Sequence, residues 1–309
     1  MIEYENLAKA NSPFLGEIKT AINRVIDSGW FVLGPEVNNF ENEFANHVGV
    51  PYCIGVANGL DALTLSIKAL DLPSGSDILV ASNTYIATIL AIIEAGHHPV
   101  LVEPNVRTFN IDSSLLSLAL TSKTKAVCIT HLYGKSCKMD EILAFVQAHD
   151  LYLIEDCAQS HSARFKGRQT GTFGISGCFS FYPTKNLGAL GDAGAIVTND
   201  GNYAEKLRHL RNYGSRQKYV NEYIGFNSRL DEIQAAILRV KLKYLDEITA
   251  HKRKISNLYF NNLPNWLVLP ERHNDYYDVF HIFAVLDEKR DELKKYLLEK
   301  GVKTEIHYP

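Results

Sequence analysis

The chain lacks most of what an exported, metal-stapled or membrane-bound protein would show. Its five cysteines, Cys53, Cys128, Cys137, Cys157 and Cys178, include no CxxC pair. They fall mostly inside apolar runs, which suits reduced core thiols and argues against a disulfide framework or a zinc site. No stretch approaches the roughly 18 uninterrupted apolar residues that cross a bilayer, and the N-terminal MIEYENLAKANSPF lacks the basic-then-apolar order of an export signal. A cytoplasmic location with no membrane partner is therefore expected. There is no block of five like charges, and 32 basic against 35 acidic residues leave a net charge of -3. That balance excludes the extended basic face a nucleic-acid partner needs. Internal repeats and low-complexity segments are also missing.

What is present is apolar mass, 46% of 309 residues, enough for a large core and about two domains. Ser12-Pro13 reads as a helix start, with Leu15, Ile18, Ile22, Val25 and Ile26 on one face and Gly29 as the stop. A second amphipathic helix follows Gly34-Pro35-Glu36. The pattern then changes to seven short β-branched runs alternating with helical segments, at 53–57, 77–81, 99–103, 125–130, 151–155, 177–182 and 194–198. Apolar runs of this kind imply an α/β class with one mostly parallel seven-stranded sheet covered on both faces. In such sheets ligands collect at the carboxyl ends of the strands. Asn58-Gly59, Tyr85, His131, Asp156 and Lys185 stand there.

A long helix is expected from about Ser228 to Leu258, followed by a strand at 278–286, a charged helix at 287–300 ended by Gly301, and a strand at 302–309. The division expected is 1–240 as a large domain and 241–309 as the start of a smaller α/β domain, truncated because its last strand has nothing to cover it.

Three stretches can carry chemistry. In VANGLDALTLSIKAL the amides of Gly59, Leu60 and Asp61 open a helix, where they either make a plain strand-to-helix turn or cradle a phosphate. In LYLIEDCAQSHSA a strand delivers Asp156 to its end with Gln159 three residues later. A buried carboxylate there needs a cation or several donors, which a salt bridge, a helix cap or a protonated ring nitrogen could supply. In FYPTKNLGALGDAGA, Lys185 sits between an apolar run and a glycine-rich loop. It reads either as a solvated loop charge or as a desolvated amine able to form a Schiff base with an aldehyde.

Taken together and in order, ANGLDAL, NTYIATILAI, HLYGK, IEDCAQSHSA, FSFYPTKNLGALGDAGAIVTND and GFNSRLDEIQAAIL closely resemble the pyridoxal-phosphate-dependent sugar-nucleotide aminotransferases of the DegT/StrS type. The resemblance runs from about Asn6 to the end of the chain. It implies the aspartate aminotransferase fold, fold type I, with pyridoxal 5'-phosphate as cofactor. It makes Lys185 the Schiff-base residue and proton carrier, Asp156 the partner of the pyridine nitrogen, Tyr85 the ring-stacking aromatic and Gln159 a neighbour of the ring. Gly59, Leu60, Asp61 and the Ser180 hydroxyl become the phosphate cradle. Asn227 matches an asparagine that reaches the cofactor of the neighbouring subunit, which implies a homodimer with shared sites. Tyr182, Lys218, His131, His307 and Tyr308 fall where the family faces its sugar nucleotide, although His131 and Lys218 read equally as a structural histidine and a loop lysine.

The expected reaction is transfer of an amino group from L-glutamate to C3 of a dTDP-linked 3-keto-6-deoxyhexose, for surface polysaccharide such as O-antigen. A 4-keto sugar is the near alternative. A dehydratase or a non-catalytic regulator on the same fold is disfavoured by a lysine at 185, where dehydrating relatives carry histidine, and by the presence of both Lys185 and Asp156.

Overall fold

A computed structural model describes residues 1–217 and 219–308. Its strands are β1 (Tyr52–Val56), β2 (Asp77–Ala81), β3 (His98–Val102), β4 (Thr124–Thr130), β5 (Tyr152–Asp156), β6 (Arg164–Phe165), β7 (Arg168–Gln169), β8 (Ser176–Ser180), β9 (Gly194–Thr198), β10 (Ser215–Gln217), β11 (Val220–Asn221) and β12 (Tyr276–Tyr277). The helices are α1 (Leu7–Asn11), α2 (Leu15–Ser28), α3 (Pro35–Val48), α4 (Gly59–Ala69), α5 (Ile86–Glu94), α6 (Leu116–Ala119), α7 (Met139–Ala148), α8 (Gly201–Leu210), α9 (Glu232–Leu242), α10 (Leu245–Asn262) and α11 (Arg290–Glu299).

The seven expected strands form one sheet in the order β1-β9-β8-β5-β4-β2-β3. Only β9 runs against its neighbours; the other pairings are parallel. Strands of Val, Ile and Ala without alternation are explained by burial on both faces. One face packs Ile54, Val80, Cys128 and Ile154 under α4, and the other packs Leu79, Val127, Ile129 and Leu153 under α7. A third cluster joins Phe40 and Phe44 of α3 to Phe179 and Phe181, with ring centroids 5.0 to 5.3 Å apart in edge-to-face contacts. All five cysteines are buried and free, and burial pushes the Cys178 thiol up to about 12. No described helix is long and apolar enough to cross a membrane.

Several expectations shift. The helix expected from Ser12 begins earlier: Asn6 caps α1, and a 3-10 turn at Ser12–Phe14 carries the chain into α2, whose end at Gly29 (φ 65°) is as expected. The long helix from Ser228 is two, α9 and α10, because the chain turns at Lys243 and Tyr244. The segments 278–286 and, among the described residues, 302–308 are not strands. Phe280 adopts φ 45°, and the neighbouring backbone is spent on earlier parts of the chain: Val279 N–H donates to Gly134 O (2.9 Å), Ile282 N–H to Tyr133 O (3.3 Å), and Asn186 Nδ2 to Val279 O (3.1 Å). Val302 makes a single bridge to Ile2. The charged helix expected at 287–300 is α11, stopped at Gly301 (φ 82°).

Candidate active site

Strand ends at one edge of the sheet place the chemistry. β5 delivers Asp156, which is buried. Its Oδ2 accepts from the Thr88 hydroxyl at 2.8 Å and its Oδ1 from Ala158 N–H at 3.0 Å. Thr88 in turn hydrogen-bonds Thr84, and Thr84 bonds Thr130 at the end of β4, each at 2.8 Å. Both donors to the carboxylate are neutral, so among the described residues it has no cationic hydrogen-bond partner. Thr88 lies three residues after Tyr85 at the start of α5, and the sequence reading overlooked it because a threonine in an apolar helix carries no chemical signature.

Lys185 follows β8 and sits close enough to Asp156 to feel its charge. Burial holds its ammonium below the ordinary lysine range, while Asp156 and Glu5 oppose the shift. Glu5 was also missed. It lies on an exposed N-terminal segment, yet desolvation raises its carboxyl, with Lys252 and Lys185 acting against that.

At the start of α4, Asn58 Oδ1 accepts from Asp61 N–H at 2.8 Å. The Asp61 amide is therefore engaged by the helix cap. The amides of Gly59 and Leu60 precede the first helical donor, Ala62 N–H on Asn58 O, and have no hydrogen-bond partner among the described residues. A Cβ on Gly59 would stand 2.6 Å from Ser180 Cβ, so only glycine lets the turn approach the end of β8 this closely.

Gln159 is buried, with its amide orientation fixed at both ends: Oε1 accepts from Tyr133 N–H at 2.7 Å and Nε2 donates to the Tyr308 hydroxyl at 3.0 Å. Tyr308 also lies against Tyr85, ring centroids 5.6 Å apart. The Tyr133 hydroxyl donates to the His307 carbonyl. Burial raises the Tyr308 phenol and lowers the His307 imidazolium. Thus Asp156, Gln159, Lys185, Tyr85, His307 and Tyr308 converge, although the last two are distant in sequence. Tyr182 is half-exposed nearby, its N–H on Ser180 Oγ at 3.3 Å. Asn227 is exposed and bridges Asn212. Lys218 lies outside the described residues.

His131 does not face this site. It is fully buried; its Nδ1 accepts from Cys137 N–H at 3.0 Å, which leaves the proton on Nε2 to donate to Glu155 at 2.9 Å. Glu155 also accepts from the amides of Gly171, Phe173 and Gly174 at 2.6 to 2.8 Å. His131, Glu155 and Cys157 lie close enough to suggest a metal site, but these bonds already satisfy the histidine and the carboxylate.

The residues present fit pyridoxal phosphate: two free amides and a hydroxyl for its phosphate, a buried carboxylate without a cationic hydrogen-bond partner for its ring nitrogen, and a desolvated amine for its aldehyde. Comparison with known proteins decides the family. Residues 15–309 match the DegT/DnrJ/EryC1/StrS aminotransferase family. The chain belongs to this family. It is a pyridoxal-phosphate-dependent aminotransferase of fold type I. Among its relatives, dTDP-3-amino-3,6-dideoxy-alpha-D-galactopyranose transaminase of Aneurinibacillus thermoaerophilus is 50% identical over 100% of this chain and 85% of its own length. The crystal structure of DesV from S. venezuelae in complex with a ketimine intermediate superposes with a TM-score of 0.97 at 43% identity, covering 100% of this chain and 84% of DesV. The structure of NtdA from Bacillus subtilis with bound cofactor PMP gives 0.88 at 30% identity, covering 96% and 69%.

Proposed function

We propose that this aminotransferase moves an amino group from L-glutamate to C3 of a dTDP-linked 3-keto-6-deoxyhexose, in the cytoplasm, supplying an amino sugar for surface polysaccharide such as O-antigen. The buried amine of Lys185 beside Asp156, which burial holds below the ordinary lysine range, carries the reading of the chemistry. The name of the Aneurinibacillus relative supports C3 and the dTDP sugar.

When bound, the cofactor acts as an electron sink that stabilises negative charge at the substrate carbon. Asp156 would keep the ring nitrogen protonated, with Thr88 and Ala158 N–H holding the carboxylate in place. Lys185 Nζ would anchor the cofactor and, once released, take the α-proton of the amino acid and return a proton to the sugar carbon. Its lowered proton affinity leaves more free amine for that transfer at neutral pH. Gly59, Leu60 and Ser180 would hold the phosphate, Tyr85 and Gln159 would flank the ring, and Tyr182, Lys218, His307 and Tyr308 would face the sugar nucleotide. We assign residues 1–240 to the cofactor unit and 241–309 to a smaller unit. The exposed position of Asn227 suits a contact across a homodimer.

The test is the visible spectrum of the protein with pyridoxal phosphate, before and after L-glutamate, beside Lys185→Ala. A yellow band that needs Lys185 and is bleached by glutamate is the expected result. A band left unchanged by glutamate removes glutamate as the donor, and a band of equal strength in Lys185→Ala overturns the role of the lysine.

A further inference from the structure

Where β6, α10 and the loop after α10 meet lies a groove of about 630 Å³ lined by Arg164, Arg253 and Arg272 together with Tyr276, Tyr277 and Phe280. It shares no lining residue with the site described above. The three arginines come from three separate segments, and among the described residues none makes a salt bridge to a carboxylate. Arg253 donates to the Asp278 carbonyl and Arg272 to Asn257 Oδ1 at 3.3 Å, while the Arg164 guanidinium has no hydrogen bond among the described residues. Of the carboxylates in the lining, Asp278 pairs with Lys135 at 3.0 Å and also feels the charges of Arg253 and Arg272, and Asp275 pairs with His273 at 3.5 Å. Arg164 and Arg253 both approach the ring of Tyr277, 5.9 and 4.0 Å from its centroid, so their guanidiniums lie within about 10 Å of each other. Arg272 lies 4.6 Å from the ring of Phe260.

A guanidinium stays charged at any physiological pH, and Asp275 and Asp278, the latter already paired with Lys135, offset the three of them only in part, so the groove favours a further anion. Most of their fork-shaped N–H donors are unused here, and that geometry matches phosphate oxygens. The Tyr276 ring is already covered by Lys135 Nζ, 4.0 Å from its centroid, but the exposed Tyr277 ring offers flat area beside the charge, as a nucleobase needs. The groove volume falls within the range of small-molecule sites. We propose that this groove is a second, non-catalytic binding site for a nucleotide, which takes the diphosphate on Arg164, Arg253 and Arg272 and the base against the Tyr277 ring. It is independent of which sugar or amino donor the enzyme uses.

The test is calorimetric titration of the pyridoxal-phosphate-loaded protein, its phosphate cradle already filled, with inorganic pyrophosphate and with adenosine 5'-diphosphate. Wild type binds both, more weakly as salt rises, and the nucleotide binds about fivefold tighter than pyrophosphate through stacking. Arg164→Ala combined with Arg272→Ala, both at exposed positions, lowers the affinity for both ligands about tenfold or more, and Arg272→Lys alone weakens it less because it keeps the charge but loses the fork. Tyr277→Ala removes the advantage of the nucleotide over pyrophosphate. The cofactor band is unchanged in every variant, and the single Arg272→Ala serves if the double variant lacks that band. Absence of binding at millimolar ligand overturns the proposal, as does wild-type affinity in the arginine variants. A nucleotide no tighter than pyrophosphate, or an advantage that survives Tyr277→Ala, also overturns it.

Discussion

His161 shows what a single buried side chain can impose. Its ring lies against Phe179 and Phe181, at 5.4 and 5.6 Å, and its ring nitrogens have no well-formed hydrogen bond among the described residues, only a weak approach to the Ser180 backbone. Burial first, then the nearby positive charge of Lys185, pull its pKa down from 6.5 to about 3. The folded state thus refuses a proton that the unfolded chain accepts from about pH 6.5 downward. Stability from this group is present in full above that pH and is lost as pH falls toward about 3. The expected loss is roughly 3 kcal/mol between pH 6.5 and about pH 4, at 1.4 kcal/mol per pH unit. In His161→Leu the acid limb should flatten by that amount in urea titrations across this range; parallel limbs in the two proteins would refute the assignment. The sequence named Lys185, Asp156 and Gln159 because their types and spacing carry chemistry. It was silent on His161, since a histidine among aromatics reads the same whether it is satisfied or stranded.

Among the elements, α9 does most to fix the lysine loop. Gln234 Oε1 accepts from Leu190 N–H at 2.9 Å, and the Lys241 ammonium donates to the Gly188 carbonyl. At its other end Glu232 accepts from the amides of Gly34, Glu36 and Val37 at 2.8 to 2.9 Å, where α3 begins. The helix thereby ties the start of α3 to the loop that follows Lys185. Lys241 is buried without a carboxylate, and burial lowers its pKa from 10.5 to about 8. The fold releases this proton before the unfolded chain does, so stability rises as pH climbs from about 8 to 10.5. Relative to Lys241→Met, the wild type should gain up to about 3 kcal/mol over that window, measured by urea midpoints at matched pH. A pH-independent difference would mean that the ammonium is solvated. The amphipathic pattern foretold a helix here, yet nothing in it marked Lys241 as facing inward, because lysine normally lies on the solvent side.

At the scale of the molecule, the two ends of the described chain meet. Ile2 N–H donates to Gly301 O at 2.7 Å and Lys303 N–H to Ile2 O at 3.0 Å, while Lys303 pairs with Glu3 at 2.7 Å. The Tyr4 ring stacks on His307 at 5.8 Å, and Tyr308 reaches Gln159 at 3.0 Å. β12 pairs with β6, which ties the segment after α10 to the chain following β5. Deleting residues 1–5 should therefore speed amide exchange of Ile2's partner Lys303 and its neighbours, and weaken cofactor binding several-fold by loosening Tyr308. Unchanged exchange at 301–303 would show that the N-terminal segment does not hold this end down.

By itself the sequence determined the α/β class, the seven strands and the lysine, aspartate and glycine turn at their ends. Strand periodicity, turn residues and reactive side-chain types are local properties, readable without knowing what lies across the sheet. Only tertiary structure decided that His131 serves Glu155, that Asn58 engages the Asp61 amide, and that 278–286 docks as loop on the Tyr133–Gly134 turn. Those outcomes depend on which hydrogen-bond partner arrives from a distant segment, and a partner's arrival is a property of the packed chain.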